Sequence, residues 1–192
     1  MLNFFKTVVF AALGVVLGLA ATWASVERGF GFGAVKAGVW TSWPQAGSPD
    51  VDPYARAALS RSGELPLGLA EGLSFIAAGD GSGAPLRGNC VYQLAGPMPA
   101  ARYWTLSATT LDGYVLGNAA NRYGFTSAEI VRRAGGAFTL EIARDVQPGN
   151  WLPLGSADAF LLVLRLYDTP VSATASALKA GSLPTIRRVD CS

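Results

Sequence analysis

The side chains that could do chemistry are few. The chain has two cysteines and no histidine in 192 residues. Without histidine, the commonest general base, proton shuttle and metal ligand are all missing. A nucleophilic cysteine normally leans on such a base, and no G-x-S-x-G elbow is present to seat a serine. Cys90 opens a strand-like run, Cys90-Val91-Tyr92-Gln93-Leu94, and Cys191 is the penultimate residue. Two thiols on a domain outside the cytoplasm pair readily. A Cys90–Cys191 disulfide is therefore expected, pinning the C-terminal strand to a sheet; a redox pair or a nucleophile is the alternative. No metal-ligand cluster and no cofactor motif stands out, because Asp50-x-Asp52 reads more simply as a helix start. The expectation is no metal and no cofactor.

Arg165 is the strongest oddity. It interrupts the apolar run Phe160–Leu166, and a buried guanidinium needs partners. It is expected either to ion-pair with Glu129, Glu141 or Asp168, or to bind an anion in a cleft. Asn121, Arg122 and Tyr123 follow a strand, and Asn150 and Trp151 sit in a turn rich in Pro and Gly. Polar and aromatic residues on such loops can bind sugars or other polar ligands. Alternatively, the asparagines satisfy turn backbones and Trp151 fills the core. Paired carboxylates of the glycosidase kind can be drawn from thirteen acids, but sequence brings no two of them together.

The elements that must position these residues are mostly strands. In 73–77 the odd positions are apolar. Trp104, Leu106 and Ala108 face one way while Tyr103, Thr105 and Ser107 face the other, and Phe138, Leu140 and Ile142 alternate with Thr139 and Glu141. This period of two marks strands with one buried face. Phe160–Leu166 reads as a central strand covered on both sides. Asp80-Gly81-Ser82-Gly83, Asp112-Gly113, Gly135-Gly136 and Pro148-Gly149-Asn150 supply turns, and Thr126-x-x-Glu129 reads as a capping box. One short helix is expected over residues 52–62, with Asp50 or Asp52 as cap, Pro53 in its first turn and Gly63 as its stop. Many short strands with regular turns predict an all-β sandwich or barrel.

The N-terminus differs in kind. Residues 7–26 carry no charge and are long enough to span a bilayer core of roughly 30 Å. Phe4, Phe5 and Trp23 suit interfacial anchors. A cleaved signal peptide is the alternative, although its apolar region would be long and no clean A-x-A site follows. The division expected is a membrane anchor over 1–28, a juxtamembrane linker over 29–49 and a β-sandwich over 50–192. Within that linker, Trp40 and Trp43 would dock on the sandwich or touch the membrane interface. Gly29-Phe30-Gly31-Phe32-Gly33 is not a phosphate loop, because no βαβ unit surrounds it; it reads as a flexible spacer. Gly14 and Gly18 form a GxxxG, a face for a second membrane helix and so for a homodimer. From residue 30 onward thirteen Lys+Arg stand against twelve Asp+Glu. A domain so near neutrality has no footprint for nucleic acid.

Several runs occur in an order that resembles a bacterial family, the "domain of unknown function 1214" proteins. They are Asp52-Pro53-Tyr54-x-Arg56-Ala57, Ser62-Gly63-Glu64-Leu65-Pro66-Leu67-Gly68, Asn121-Arg122-Tyr123-Gly124-Phe125-Thr126-Ser127, Pro148-Gly149-Asn150-Trp151-Leu152-Pro153 and Leu164-Arg165-Leu166-Tyr167. The resemblance covers roughly residues 38–192 and implies a jelly-roll-like β-sandwich but no established reaction. Family members include short, membrane-anchored forms, and longer ones that carry a second uncharacterised domain absent here. The expectation is thus a single-pass inner-membrane protein, N-terminus cytoplasmic and sandwich in the periplasm. Its role would be non-catalytic, binding an envelope protein or glycan. The alternative is a hydrolase or lyase that acts on an envelope carbohydrate with a carboxylate pair.

Overall fold

The computed structural model describes residues 2–27, 33–62, 66–68, 70–171 and 181–191. Helix α1 (Leu2–Glu27) comes first. Its stretch Asn3–Ser25 is long and apolar enough to cross a membrane, and none of it is buried against the rest of the chain. Helix α2 (Pro53–Ser62) begins as its sequence dictates: Asp52 Oδ1 accepts hydrogen bonds from the backbone N–H of Tyr54 and Ala55, with Pro53 in the first turn where no donor is needed. Gly63, expected to end this helix, and Gly29, Phe30, Gly31 and Phe32 of the glycine-rich spacer lie outside the described residues.

Among the described residues ten strands follow one another as β1 (Val35–Ala37), β2 (Trp40–Ser42), β3 (Gly72–Ala77), β4 (Cys90–Ala95), β5 (Tyr103–Thr109), β6 (Gly124–Thr126), β7 (Thr139–Ala143), β8 (Asn150–Pro153), β9 (Leu161–Tyr167) and β10 (Thr185–Cys191). They form a six-stranded sheet, β1-β2-β3-β9-β5-β6, and a four-stranded sheet, β10-β4-β7-β8. The chain passes repeatedly from one sheet to the other, giving an all-β sandwich with one short helix, one of the two architectures the patterning predicted and the jelly-roll-like one that the family resemblance implied. Leu73, Phe75, Trp104, Leu106, Leu162, Leu164 and Leu166 from the first sheet share one core with Tyr92, Leu94, Leu140, Ile142, Leu152 and Ile186 from the second. Each such side chain contributes on the order of 1.5–3 kcal/mol of burial. Rings cross between the layers: Trp104 stacks on Phe138 at 5.5 Å, and Tyr92 meets Phe160 edge-on at 5.7 Å.

Two details differ from the sequence expectation. The hairpin β1–β2 falls inside the stretch 29–49 read as a linker, and it extends the six-stranded sheet through β3. Trp40 is a core residue, 1% exposed, and its indole N–H donates to Pro184 O at 2.7 Å. Strand β9 is central, but its outward face is not covered along its length: Val163 is buried there, while Leu161, Arg165 and Tyr167 are only half-buried. In the four-stranded sheet β8 runs parallel to β7, Leu140 beside Asn150 and Ala143 beside Pro153. Parallel neighbours usually need a crossover of a dozen or more residues. Here the strands are so short that six residues, reaching at most about 20 Å, carry the chain back to its starting level.

Strand directions define two ends of the sandwich. At the near end β1 begins, β2 leads to α2 and α2 leads to β3; the chain arriving from α1 therefore enters here. At the far end stand the β3–β4 loop, the β5–β6 loop, Cys90 and Cys191. Cys90 and Cys191 are bonded, as their sequence positions led us to expect, and sit directly opposite each other in the β4–β10 register.

Candidate functional site

Strand alternation places Gln93 of β4, Glu141 of β7, Trp151 of β8 and Arg187 of β10 on the outer face of the four-stranded sheet. Register places them side by side: Arg187 opposite Gln93, Gln93 opposite Glu141, Glu141 beside Trp151. Hydrogen bonds run along this row. Arg187 Nη2 donates to Gln93 Oε1 at 3.0 Å, and Gln93 Nε2 donates to Glu141 Oε1 at 2.8 Å. Trp151 ends the row half-buried, its indole N–H donating to Ala143 O at 3.1 Å. Arg122 reaches across from the loop before β6. Its Nη1 donates to Trp151 O at 3.2 Å, and its guanidinium lies 5.2 Å from the centre of the Phe125 ring. Small residues, Val91, Ala95 and Thr139, flank the row, so the face stays shallow. Beside Ala95 and Thr139 a groove of about 550 Å³ opens at the near end, lined among others by Met98, Arg132, Gly136 and Phe138. Arg132 is held over the Phe138 ring at 5.3 Å and donates to Gly136 O.

The residues singled out in the sequence do not form one cluster. Asn121, Arg122, Tyr123 and Trp151 belong to this side of the molecule. Tyr123 O–H donates to Asn121 Oδ1 at 3.1 Å, and Asn121 itself has a φ of 50°, a conformation asparagine tolerates. The neighbouring turn is satisfied by Asn118, which bonds both the N–H and the C=O of Arg122. Asn150 is a structural residue, 7% exposed. Its Oδ1 accepts from Val131 N, and its Nδ2 donates to Val131 O and Thr139 O, all within 2.9 Å. It thereby seats β8 against β7. Arg165 stands on the outer face of the other sheet. None of the three acids expected to pair with it does so: Glu141 bonds Gln93, Glu129 accepts from Thr126 Oγ1, and Asp168 faces Arg102 at 3.7 Å.

Gln93 and Arg187 were not singled out from sequence, and Glu141 only as a candidate partner for Arg165. Alternation marks all three as outward, but nothing local says that they are neighbours.

Among the described residues Asp80 is the only buried carboxylate, 2% exposed. Burial pushes its pKa up. The hydrogen bonds from Ser82 Oγ, Ser82 N and Ala84 N, with Arg188 beside it, outweigh burial and hold the carboxyl below the usual carboxylate range. Gly83 completes this turn at a φ of 84°, where a side chain would be strained. No group of three or more potential metal ligands occurs among the described residues.

A family profile described as a protein of unknown function, DUF1214, matches residues 71–171. The fold is similar to the crystal structure of a Vibrio parahaemolyticus protein, with a TM-score of 0.57 and 19% identity over 73% of this chain and 36% of that one. An uncharacterised protein from Burkholderia cenocepacia aligns at 16% identity and a TM-score of 0.45, over 91% of this chain and 50% of that one. The chain thus spans about a third to a half of the length of these proteins. No curated protein matches it.

Proposed function

The chain belongs to the DUF1214 family of proteins of unknown function, and from that premise we propose that it is a membrane-tethered binding module whose four-stranded face holds an envelope glycan. The observation that carries this reading is the transverse row Arg187–Gln93–Glu141–Trp151, extended by Arg122. A sugar ring presents hydroxyls around its rim and C–H groups on its faces. A row that alternates hydrogen-bonding groups with an indole, on a shallow and open surface, matches that chemistry. The groove beside Ala95 and Thr139 gives an extended ligand room to continue past a single ring.

The tether reading rests on α1, apolar and unburied over Asn3–Ser25. A disulfide persists in oxidising compartments, so the bonded Cys90 and Cys191 favour a sandwich outside the cytoplasm and an N-terminus within it. In a bacterial cell such a topology would have α1 in the inner membrane and the sandwich in the periplasm. Gly14 and Gly18 have open space where a Cβ would stand and offer a close-contact face to the α1 of a second copy. Binding without turnover is favoured over hydrolysis by the row itself. Glycoside hydrolysis needs two carboxyl groups, whereas this row holds one acid, Glu141, already accepting from Gln93.

The test is direct. Full-length protein in nanodiscs is titrated with soluble cell-wall glycan fragments and, in parallel, with neutral glucan oligosaccharides. Saturable binding that Trp151→Ala and Gln93→Ala each weaken at least tenfold, in folded protein, supports the reading. Equal affinity in wild type and both variants overturns it. Shortened glycan products in the same samples would replace binding by catalysis.

A further inference from the structure

The groove that opens beside Ala95 and Thr139 has a charge of its own. Among the described residues that line it, Arg132 alone is charged. The local sequence holds that side chain in place. Gly135 and Gly136 take φ values of 85° and 81°, which side chains rarely adopt. They fold a tight turn in which Arg133 N donates to Ala137 O and Gly136 N donates to Arg133 O. The turn brings Gly136 O back to Arg132, whose Nη1 donates to it at 3.0 Å. The guanidinium also lies 5.3 Å from the centre of the Phe138 ring, itself buried and stacked on Trp104. Arg132 is thus held by two partners while it stays exposed. Nε and Nη2, one edge of its fork, meet no acceptor among the described residues. Nearby acids are engaged elsewhere or stand apart. Glu129, three residues earlier, accepts from Thr126 Oγ1 and does not line the groove. Glu141 accepts from Gln93, and Asp190 stands opposite Val91, toward the far end.

A guanidinium held in place with one edge free has a two-oxygen anion as its complement. The groove also begins close to the row. Ala95 and Thr139 are register partners, two residues along their strands from Gln93 and Glu141, a step of about 7 Å. Adjoining rings of one oligosaccharide cover that distance. We infer that the glycan held on the four-stranded face is acidic. One ring lies along the row, and a carboxylate or phosphate on the adjoining sugar pairs with Arg132. This rests on the glycan reading of that face and adds the charge of the ligand to it.

The experiment titrates full-length protein in nanodiscs of zwitterionic lipid with soluble cell-wall glycan fragments in three forms. One is untreated, one has its carboxyl groups reduced to alcohols, and one has its phosphate groups removed. One of the two treated forms should bind at least tenfold more weakly than the untreated form, and which one it is identifies the anion. Arg132→Gln should bind the untreated form equally weakly and that treated form as wild type does. Arg132→Lys, which keeps the charge but not the fork, should recover part of the loss. Arg87→Gln, at an exposed arginine elsewhere, should match wild type throughout. Added salt should weaken the untreated form's binding to wild type more than to Arg132→Gln. Equal wild-type affinity for all three forms overturns the inference and leaves the glycan reading standing. So does an equal drop for every form in Arg132→Gln, which would mark a scaffold residue. No binding of any form overturns both.

Discussion

Arg188 meets Asp80 at 2.8 Å, and this contact fastens the β3–β4 loop to the C-terminal strand. The same guanidinium lies 5.8 Å from the Tyr92 ring centre, and Gly81 N donates to Ile186 O beside it. Asp80 is nearly inaccessible while Arg188 keeps about a third of its side chain in solvent. Removing the acid strands one charge and several donors. Asp80→Ala is expected to cost about 2–3 kcal/mol, less than the 3–5 typical of fully buried pairs because Arg188 is partly solvated. Urea denaturation of the two proteins measures the difference.

The same group makes stability depend on acid. Its folded pKa is depressed, so the folded state favours the ionised form. The stabilisation is complete above the unfolded carboxylate value of about 3.9 and is lost as pH falls through the lower folded value. Melting temperature followed from pH 6 to pH 2 should fall less steeply in Asp80→Ala than in wild type. Parallel curves would mean that Asp80 does not titrate in this range.

The Cys90–Cys191 bond closes a separation of 101 residues. Replacement of both cysteines by serine should lower stability by about 2–4 kcal/mol. Non-reducing peptide mapping of protein taken from its own membrane should recover the two cysteine peptides joined. Two freely alkylated thiols there would remove the disulfide argument for an extracytoplasmic sandwich.

Asn150 and Trp151 are adjacent in sequence and should separate cleanly in function. Asn150→Ala orphans Val131 N, Val131 O and Thr139 O, and about 2–4 kcal/mol of stability should go with them. Trp151→Ala should melt closer to wild type and lose glycan affinity. If the two variants show the same profile, Trp151 is part of the scaffold.

Much of the sandwich was legible because its longer strands alternate. Residues 73–77, 104–108 and 138–142 each declare a buried face, and the structure places Leu73, Trp104, Leu140 and their partners in one core. The hairpin β1–β2 escaped because three-residue strands are too short to show a period. Trp40 gave a hint, but an isolated tryptophan near an apolar helix reads equally well as an interfacial anchor. Arg165 was legible as an oddity, yet its unpaired state was not, since ion pairing depends on which acids the fold brings near. The row across β10, β4, β7 and β8 was the least accessible. Arg187 and Gln93 are 94 residues apart, and Gln93 and Glu141 are 48 apart. Only the pairing of distant strands makes them neighbours.

That pairing also sets an order of events. β10 joins β4 across nearly half the chain, and contacts of such separation bear their loop-closure entropy before any interaction returns it. The hairpin β1–β2 and the close pair β7–β8 can assemble early, whereas the four-stranded sheet waits for its C-terminal strand. Arg187 arrives with that strand, as do Arg188 and Cys191. A chain halted partway, or one whose last strand has slipped its register, therefore presents Gln93 and Glu141 without the cation that completes their row. The surface is in effect proofread, since nothing short of the finished sandwich displays it.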